Sequence, residues 1–253
     1  MDFDFTNMVV FVTGSSRGIG RAIALQFARL RAQVVVHYHK NHRLAEQTLA
    51  DLPGDSHLLV QADLSNPAAV KDMTTTVIRK IGRINILVNN AGIYEELQTT
   101  DCTYEKWQDT WERTIRTNLT GPANLSFCII QHMIEHGGGK IVNVSSRGAF
   151  RGEPNAPAYG ASKAGLNALS QSLAQALAPY NIFIYAIAPS FVHTEMTDSL
   201  LSGSDGDSIR HQSPLGRTAT TEEIAHTVVF LASKVSDYLT GGIVDINGAS
   251  YLH

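Results

Sequence analysis

Seven short β-branched runs, separated by stretches of helical periodicity, constrain this fold more than any other feature of the chain. The runs are Val9–Val12, Val34–His37, Leu58–Val60, Ile84–Val88, Ile141–Val144, Ile182–Ile187 and Ile243–Ile246. Several are apolar almost throughout, as expected of strands covered on both faces. Between them, Ile19, Ile23, Phe27 and Leu30 recur at helical steps, and so do Leu166, Leu169, Leu173 and Leu177. Strand–helix alternation on this scale predicts crossover units, a parallel sheet and, with right-handed connections, an α/β doubly wound fold. The chain has 253 residues and shows no repeat or low-complexity linker, so one domain over 1–253 is expected. Gly203–Ser208 is short and polar and reads as a loop inside that domain.

Composition removes several classes of function. With 43% apolar and 17% charged residues, the chain has enough core for a globular protein and is no disordered or fibrous one. No apolar run approaches the ~18 residues of a membrane helix, so no membrane partner is expected. A net charge of −3 advertises no nucleic acid. The two cysteines, Cys102 and Cys128, fit a reducing compartment. The start, Met-Asp-Phe-Asp-Phe, lacks the basic and apolar regions of a signal peptide, and the end is no lipidation signal. The expected location is cytoplasmic.

A glycine-rich turn follows the first run: Thr13-Gly14-Ser15-Ser16-Arg17-Gly18-Ile19-Gly20. Glycines there permit a tight turn and let backbone N–H groups approach a phosphate at the start of a helix. The G-x-x-x-G-x-G spacing resembles the short-chain dehydrogenase/reductase family, and the match continues along nearly the whole chain. Asn89-Asn90-Ala91-Gly92 follows the fourth run, Asn118 sits in Thr117-Asn-Leu-Thr-Gly121, Ser146 closes the fifth run, and Tyr159-Gly-Ala-Ser-Lys163 follows with twelve residues between Ser146 and Tyr159. The resemblance implies a Rossmann-type, seven-stranded parallel sheet with helices on both faces and nicotinamide-dependent redox chemistry. Two departures stand out: the family's usual Pro-Gly after the sixth strand is Pro189-Ser190, and its Asp-Gly-Gly near the end is Asn247-Gly248-Ala249.

Tyr159 and Lys163 are four residues apart and share a helix face. A phenol with a pKa near ~10 is a poor base at neutral pH. An ammonium ~4 Å away, at an effective dielectric of ~20, is worth on the order of 4 kcal/mol, so an acidified Tyr159 is expected. Ser146 would hydrogen-bond the substrate oxygen and hold it against Tyr159. By resemblance, Lys163 also holds the ribose hydroxyls, and Asn118 anchors a water linking Lys163 to solvent. A nucleotide-binding regulator without chemistry is the competing class; an incomplete tetrad would mark it, and Asn118, Ser146, Tyr159 and Lys163 are all present.

A sugar-binding carboxylate about 20 residues past the turn marks NAD sites. Here Val36-His37-Tyr38-His39-Lys40 puts Tyr38 at that place. No acid repels a 2′-phosphate, and Arg17, His39 and Lys40 are cations able to pair with one. NADP(H) is therefore the expected cofactor, with NAD(H) the alternative. The cofactor set comprises Gly14, Ser16, Arg17, Gly18, Ile19, Gly20, Tyr38, His39, Lys40, Asn90, Ala91, Gly92, Tyr159 and Lys163. By resemblance it adds Asp63 and Leu64 at the adenine, and Pro189, Ser190, Val192 and Thr194 at the nicotinamide. His37, His39 and His42 lie in a region read as an exposed loop, where solvent-facing histidines are the ordinary case and no cysteine or carboxylate completes a metal set. No metal is expected.

Substrate contacts are expected from Ser146, Arg147, Phe150, Tyr159, Phe191 and Met196, with Ile93 and Tyr94 nearby, beneath a lid over 193–213 hinged at Gly203 and Gly206. Apolar types dominate, which favours a partly apolar ketone or alcohol, while Arg147 offers a place for a carboxylate. The sequence resembles the 3-oxoacyl-carrier-protein reductase branch most. Carrier proteins are acidic, however, and Glu195–Asp207 holds four acids and no Lys or Arg. Carrier-linked substrates are thus a subordinate expectation, and a polyol or sugar dehydrogenase is the alternative enzyme. By resemblance, the long helices Tyr104–Thr117 and Pro157–Ala178, with the Ile243–His253 segment, imply a homotetramer.

Overall fold

The computed structural model describes residues 3–195 and 197–253, the side chain of Ser199 excepted. In chain order the elements are β1 (Val9–Val12), α1 (Gly18–Arg29), β2 (Gln33–Tyr38), α2 (His42–Asp51), β3 (Leu58–Gln61), α3 (Pro67–Ile81), β4 (Ile86–Asn89), α4 (Tyr104–Ile115) and α5 (Gly121–Glu135). They continue as β5 (Gly139–Val144), α6 (Gly148–Arg151), α7 (Pro157–Leu177), β6 (Ile182–Pro189), α8 (Asp198–Ser202), α9 (Gly206–His211), α10 (Thr221–Ala232) and β7 (Ile243–Ile246). The strands form one seven-stranded sheet in the order β3-β2-β1-β4-β5-β6-β7, every pairing parallel. The expected fold class is thus what forms.

Side-chain alternation along β1 shows why the strands read as apolar throughout. Val10 and Val12 pack into one core layer with Ile23, Phe27 and Val228, from α1 and α10. Val9 and Phe11 point the other way, into a second layer with Val70, Leu125, Ile129 and Leu177, from α3, α5 and α7. Both faces of the strand are covered, so neither parity can be polar. Local signals then set the helix starts. Asn66 accepts hydrogen bonds from the N–H groups of Ala68 and Ala69 ahead of α3, with Pro67 in the first turn. Thr220 and Glu223 form a reciprocal capping box at α10.

The sheet order reverses at β1, which lies between β2 and β4. The connection from β1 crosses one face through α1, the connection into β4 crosses the other through α3, and a crevice opens at the carboxyl ends of these strands. Every motif singled out from the sequence lies at or just after the end of a strand on that edge, apart from the Tyr159/Lys163 pair, which the first turns of α7 carry, and Asn118.

Asn118 arrives by a different route. The helix expected over Tyr104–Thr117 does not end there; it passes through a π-helical turn, Arg116–Thr120, and runs on as α5. Proline 122 explains part of this. It has no N–H to return to the Asn118 carbonyl at the helical i+4 position, so the regular ladder breaks at that residue.

The lid region also differs in detail. It folds as two short helices, α8 and α9, with Met196 outside the described residues. Gly206 is no free hinge, because a Cβ there would lie 2.1 Å from the Leu201 carbonyl oxygen. Near the chain end, Ala249 adopts φ +58, a left-handed conformation, where the family pattern has glycine. That geometry costs an L-residue ~1–2 kcal/mol. Ala249→Gly should therefore raise stability by about 1 kcal/mol after the entropy of the freer unfolded chain is deducted. The thermal midpoint should rise by roughly 2–4 °C. An unchanged or lower midpoint in calorimetry would show that the strain is relieved elsewhere.

Candidate active site

A cavity of about 1150 Å³ occupies the crevice. The glycine turn forms its floor. Gly14 has φ +63, and a Cβ on it would sit 2.9 Å from the Ala91 Cα. A Cβ on Gly20 would fall 2.4 Å from the Gly14 carbonyl oxygen. The turn is therefore folded against itself too tightly for any side chain. Asn90 Nδ2 donates to the carbonyls of Thr13 (2.9 Å) and Gly14 (3.2 Å), while Thr13 Oγ1 accepts from the N–H groups of Asn90 and Ala91. Helix α1 begins at Gly18 with no side-chain cap and no acid in its first turn, which leaves N–H groups and a positive field facing the cavity. A dinucleotide pyrophosphate fits this cradle.

His37 holds the same turn from beneath, contrary to the solvent-facing reading. It is 1% exposed. Its Nδ1 accepts from the Gly14 N–H (3.1 Å), and its Nε2 lies 3.2 Å from the Ala62 carbonyl, which can only accept, so the proton sits on Nε2. Burial pushes the imidazole down to about 4, with the Ala62 bond opposing and His39 assisting. No local pattern distinguishes this histidine from its neighbours; its bonds to Gly14 and Ala62, from the ends of two other strands, do. His39 and His42 point outward and pair with Asp63 (3.6 Å) and Glu46 (3.1 Å).

The adenosine end collects the residues expected there. Tyr38 is buried, its ring 5.3 Å from that of His42 and its hydroxyl 3.4 Å from Gln61 Oε1. Arg17 reaches Glu195 at 3.5 Å, both side chains being exposed, and Lys40 is exposed. Asp63 accepts from the Ser65 N–H and hydroxyl. Burial raises its pKa, but these bonds and the His39 and Lys40 charges outweigh that and hold it below the usual carboxylate range. All the expected cofactor-contact residues line the one cavity.

At the other end, Ser146 and Tyr159 face the same space, with Lys163 behind them. Ser146 Oγ accepts from the Gly148 N–H at 3.0 Å. Lys163 is 4% exposed, and its Nζ donates to the Val144 carbonyl at 2.8 Å and lies 5.6 Å from the Tyr159 ring centroid. Burial brings Lys163 down to about 8. Tyr159 moves opposite to expectation. Burial pushes it up to about 12, the Ser146 hydroxyl pulls it back in part, and Glu153 and Tyr94 push it further up. The Coulomb argument assumed an ammonium beside the phenolic oxygen. In the protein alone, the ammonium is committed to a carbonyl, and desolvation dominates.

Asn118 is fully buried and supports this group from the π-helical turn. Its Oδ1 accepts from the Ile93 N–H (2.8 Å), and its Nδ2 donates to the Ile93 carbonyl (2.9 Å) and to Ser162 Oγ (3.2 Å). The amide is therefore spent on protein partners, and Pro122 has no N–H to offer the Asn118 carbonyl. Gly92 lies where Asn118 and Lys163 meet. A Cβ there would be 3.3 Å from Asn118 Oδ1 and 3.5 Å from Lys163 Nζ.

On the substrate side, Tyr94 packs edge-on against Tyr159 at 5.1 Å, and Arg151 pairs with Glu153 at 3.6 Å. Arg147 and Phe191 line the cavity as expected. Phe150 does not; its ring stacks on His253 at 3.9 Å, because the short α6 turns it toward the chain end. Glu153 and Gln212 also line the cavity and carry no local sequence signal that would have singled them out.

Comparisons with known proteins agree along the chain. A family model described as Enoyl-(Acyl carrier protein) reductase, adh_short_C2, matches residues 14–249. The 3-oxoacyl-[acyl-carrier-protein] reductase FabG of Staphylococcus epidermidis is 35% identical over 248 residues, 97% of this chain and 100% of that protein. The protein of that name from Aquifex aeolicus is 34% identical over 255 residues (99% and 100%), and that from Thermotoga maritima 36% over 245 residues (95% and 96%).

The buried histidine generates a prediction. A pKa of about 4 in the fold, against 6.5 for the free group, means that the unfolded chain binds the proton between those values. Stability is then full above pH 6.5 and falls as pH drops toward 4. Between pH 6.5 and 5 the loss from His37 should be on the order of 2 kcal/mol. His37→Asn, whose amide oxygen can still accept from Gly14, should lack that component in urea titrations at the two pH values. Parallel losses in both proteins would contradict the assignment.

Proposed function

This chain belongs to the short-chain dehydrogenase/reductase family, enzymes that act on CH–OH or carbonyl groups with NAD(P), and on that premise we propose that it is an NADP(H)-dependent reductase of 3-oxoacyl compounds or similar ketones. One observation carries the reading: Ser146, Tyr159 and Lys163, backed by Asn118, converge in the same cavity that the glycine turn lines. The names of the relatives support the 3-oxoacyl class.

The cofactor, when bound, supplies the hydride for the carbonyl carbon. The protein's part is orientation and proton handling. Ser146 donates a hydrogen bond to the substrate oxygen and aligns it with the phenol. Tyr159, fully protonated at neutral pH, gives its proton to that oxygen as the alcohol forms. Lys163, near 8 and buried behind the ring, is a cation at neutral pH and compensates the charge left on the phenol. The Asn118 carbonyl holds the water that returns a proton from solvent.

Preference for NADP(H) rests on Tyr38 standing where a ribose-binding acid would repel the 2′-phosphate, with Arg17, His39 and Lys40 close by. Delivery by a carrier protein is disfavoured, because the lid presents Glu195, Asp198, Asp205 and Asp207 where a basic docking surface would be needed. A homotetramer paired through α4, α7 and the Ile243–His253 segment is part of this reading; exposed Tyr104 at the start of α4 supports the first of these, and exposed Phe127 adds an apolar side chain on α5.

The test is reduction of a 3-oxo ester with each cofactor. Turnover with NADPH should exceed that with NADH by about tenfold or more in kcat/KM, one phosphate–guanidinium contact being worth about that much. Arg17→Ala should narrow the ratio mainly through the KM for NADPH. Equal or better turnover with NADH would overturn the cofactor assignment.

A further inference from the structure

Arg147 follows Ser146 directly and is 3% exposed, yet no carboxylate among the described residues pairs with it. Every other arginine in the described structure either forms an ion pair or is exposed to solvent. The partners of Arg147 are neutral. It donates to Ser250 Oγ (2.5 Å) and to Gln212 Oε1 (2.8 Å), and its guanidinium lies 5.7 Å from the Phe191 ring centroid. Buried charges are ordinarily paired, and a cation left with neutral acceptors lacks most of the compensation for its lost hydration. Burial and the nearby Arg151 both disfavour its charge, and Glu153, engaged with Arg151, opposes them only in part.

We propose that Arg147 is the anchor for an anionic group on the substrate, so that the preferred substrates are 3-oxo acids or related ketones bearing a free carboxylate a few bonds from the reacting carbonyl. This rests on the reductase reading above. Gln212 sits just beyond the lid helix α9, and Ser250 in the C-terminal segment. Both act as neutral stand-ins that keep the guanidinium hydrogen-bonded until a carboxylate replaces one of them. A planar carboxylate matches the guanidinium fork with two parallel hydrogen bonds, which neither stand-in provides. Adjacency to Ser146 sets the spacing, because consecutive Cα atoms lie about 3.8 Å apart and the anchored group must stay near the carbonyl. None of the four lid acids pairs with Arg147: Glu195, Asp198 and Asp207 lie against Arg17, His193 and Arg210, and Asp205 lines the cavity without an ion pair to it.

The experiment compares a short 3-oxo acid with its ethyl ester, using NADPH as reductant. In the wild type the acid should be favoured by about tenfold or more in kcat/KM, mostly through KM. Arg147→Gln should bring the acid-to-ester ratio to within about threefold of one, and Arg147→Lys should keep part of it, retaining charge without the fork. Gln212→Glu is a near-isosteric second variant that gives Arg147 a carboxylate of its own. It should lower the same ratio by competition without removing any side chain from the site. A wild type that prefers the ester, or a ratio unchanged in both Arg147→Gln and Gln212→Glu, would overturn the anchor while leaving the reductase reading intact. Failure to reduce acid, ester and neutral ketones alike would instead overturn the parent reading.

Discussion

Parallel pairing of all seven strands means that every strand ends at the same edge of the sheet, and the remaining architecture is arranged around that edge. The glycine turn after β1, Tyr38 at the end of β2, Asp63 after β3, Asn90 after β4, Ser146 after β5 and Ser190 after β6 are distant in sequence. They line one cavity because the crossovers return each strand in the same direction. Reversal of strand order at β1 supplies the gap into which a long, two-ended ligand can lie. The two core layers on either face hold this geometry, and a register slip in β1 would exchange Val10 and Val12 with Val9 and Phe11 and disrupt both layers at once.

Desolvation then decides the electrostatics of the site. Tyr159 rises to about 12, Lys163 falls to about 8 and His37 falls to about 4, each with burial as the leading cause. At neutral pH the phenol is thus protonated, the amine is charged and the imidazole is neutral. That set of states suits a proton donor at the substrate, a cation behind it and an acceptor for the Gly14 N–H. In the proposed reduction the phenol would begin as the acid, and a protonated Tyr159 suits that role. Arg147 belongs to the same physics, as a buried cation whose protein partners carry no charge.

The features legible from sequence are those written in local patterns. Apolar runs marked all seven strands, with β1 and β7 at the expected residues and the others shifted by one or two residues at one or both ends. The residues that motif spacing marked as cofactor contacts line a single cavity. What could not be read depended on packing across the chain. His37 is buried because both faces of β2 are covered and because Gly14, after β1, and Ala62, after β3, bond its ring; no local pattern near residue 37 reveals those partners. The π-helical turn at Asn118 needs Pro122 read as a missing donor, not as a helix start. Phe150 had the right composition for a pocket wall, but α6 turns it onto His253 at the end of the chain. The acidification expected of Tyr159 failed because the Val144 carbonyl competes for the Lys163 ammonium, a contact between β5 and α7.

The central claim is that a protonated Tyr159 completes a hydride transfer made within this cavity, and isotope transfer tests it most directly. A 3-oxo ester is reduced with NADPH carrying deuterium at the transferring C4 position, and the product is read by NMR. The account predicts one deuterium on the carbinol carbon with the wild type and loss of labelled product with Tyr159→Phe. Labelled product formed by that variant at the wild-type rate, or product without deuterium from the wild type with either C4 face labelled, would contradict it.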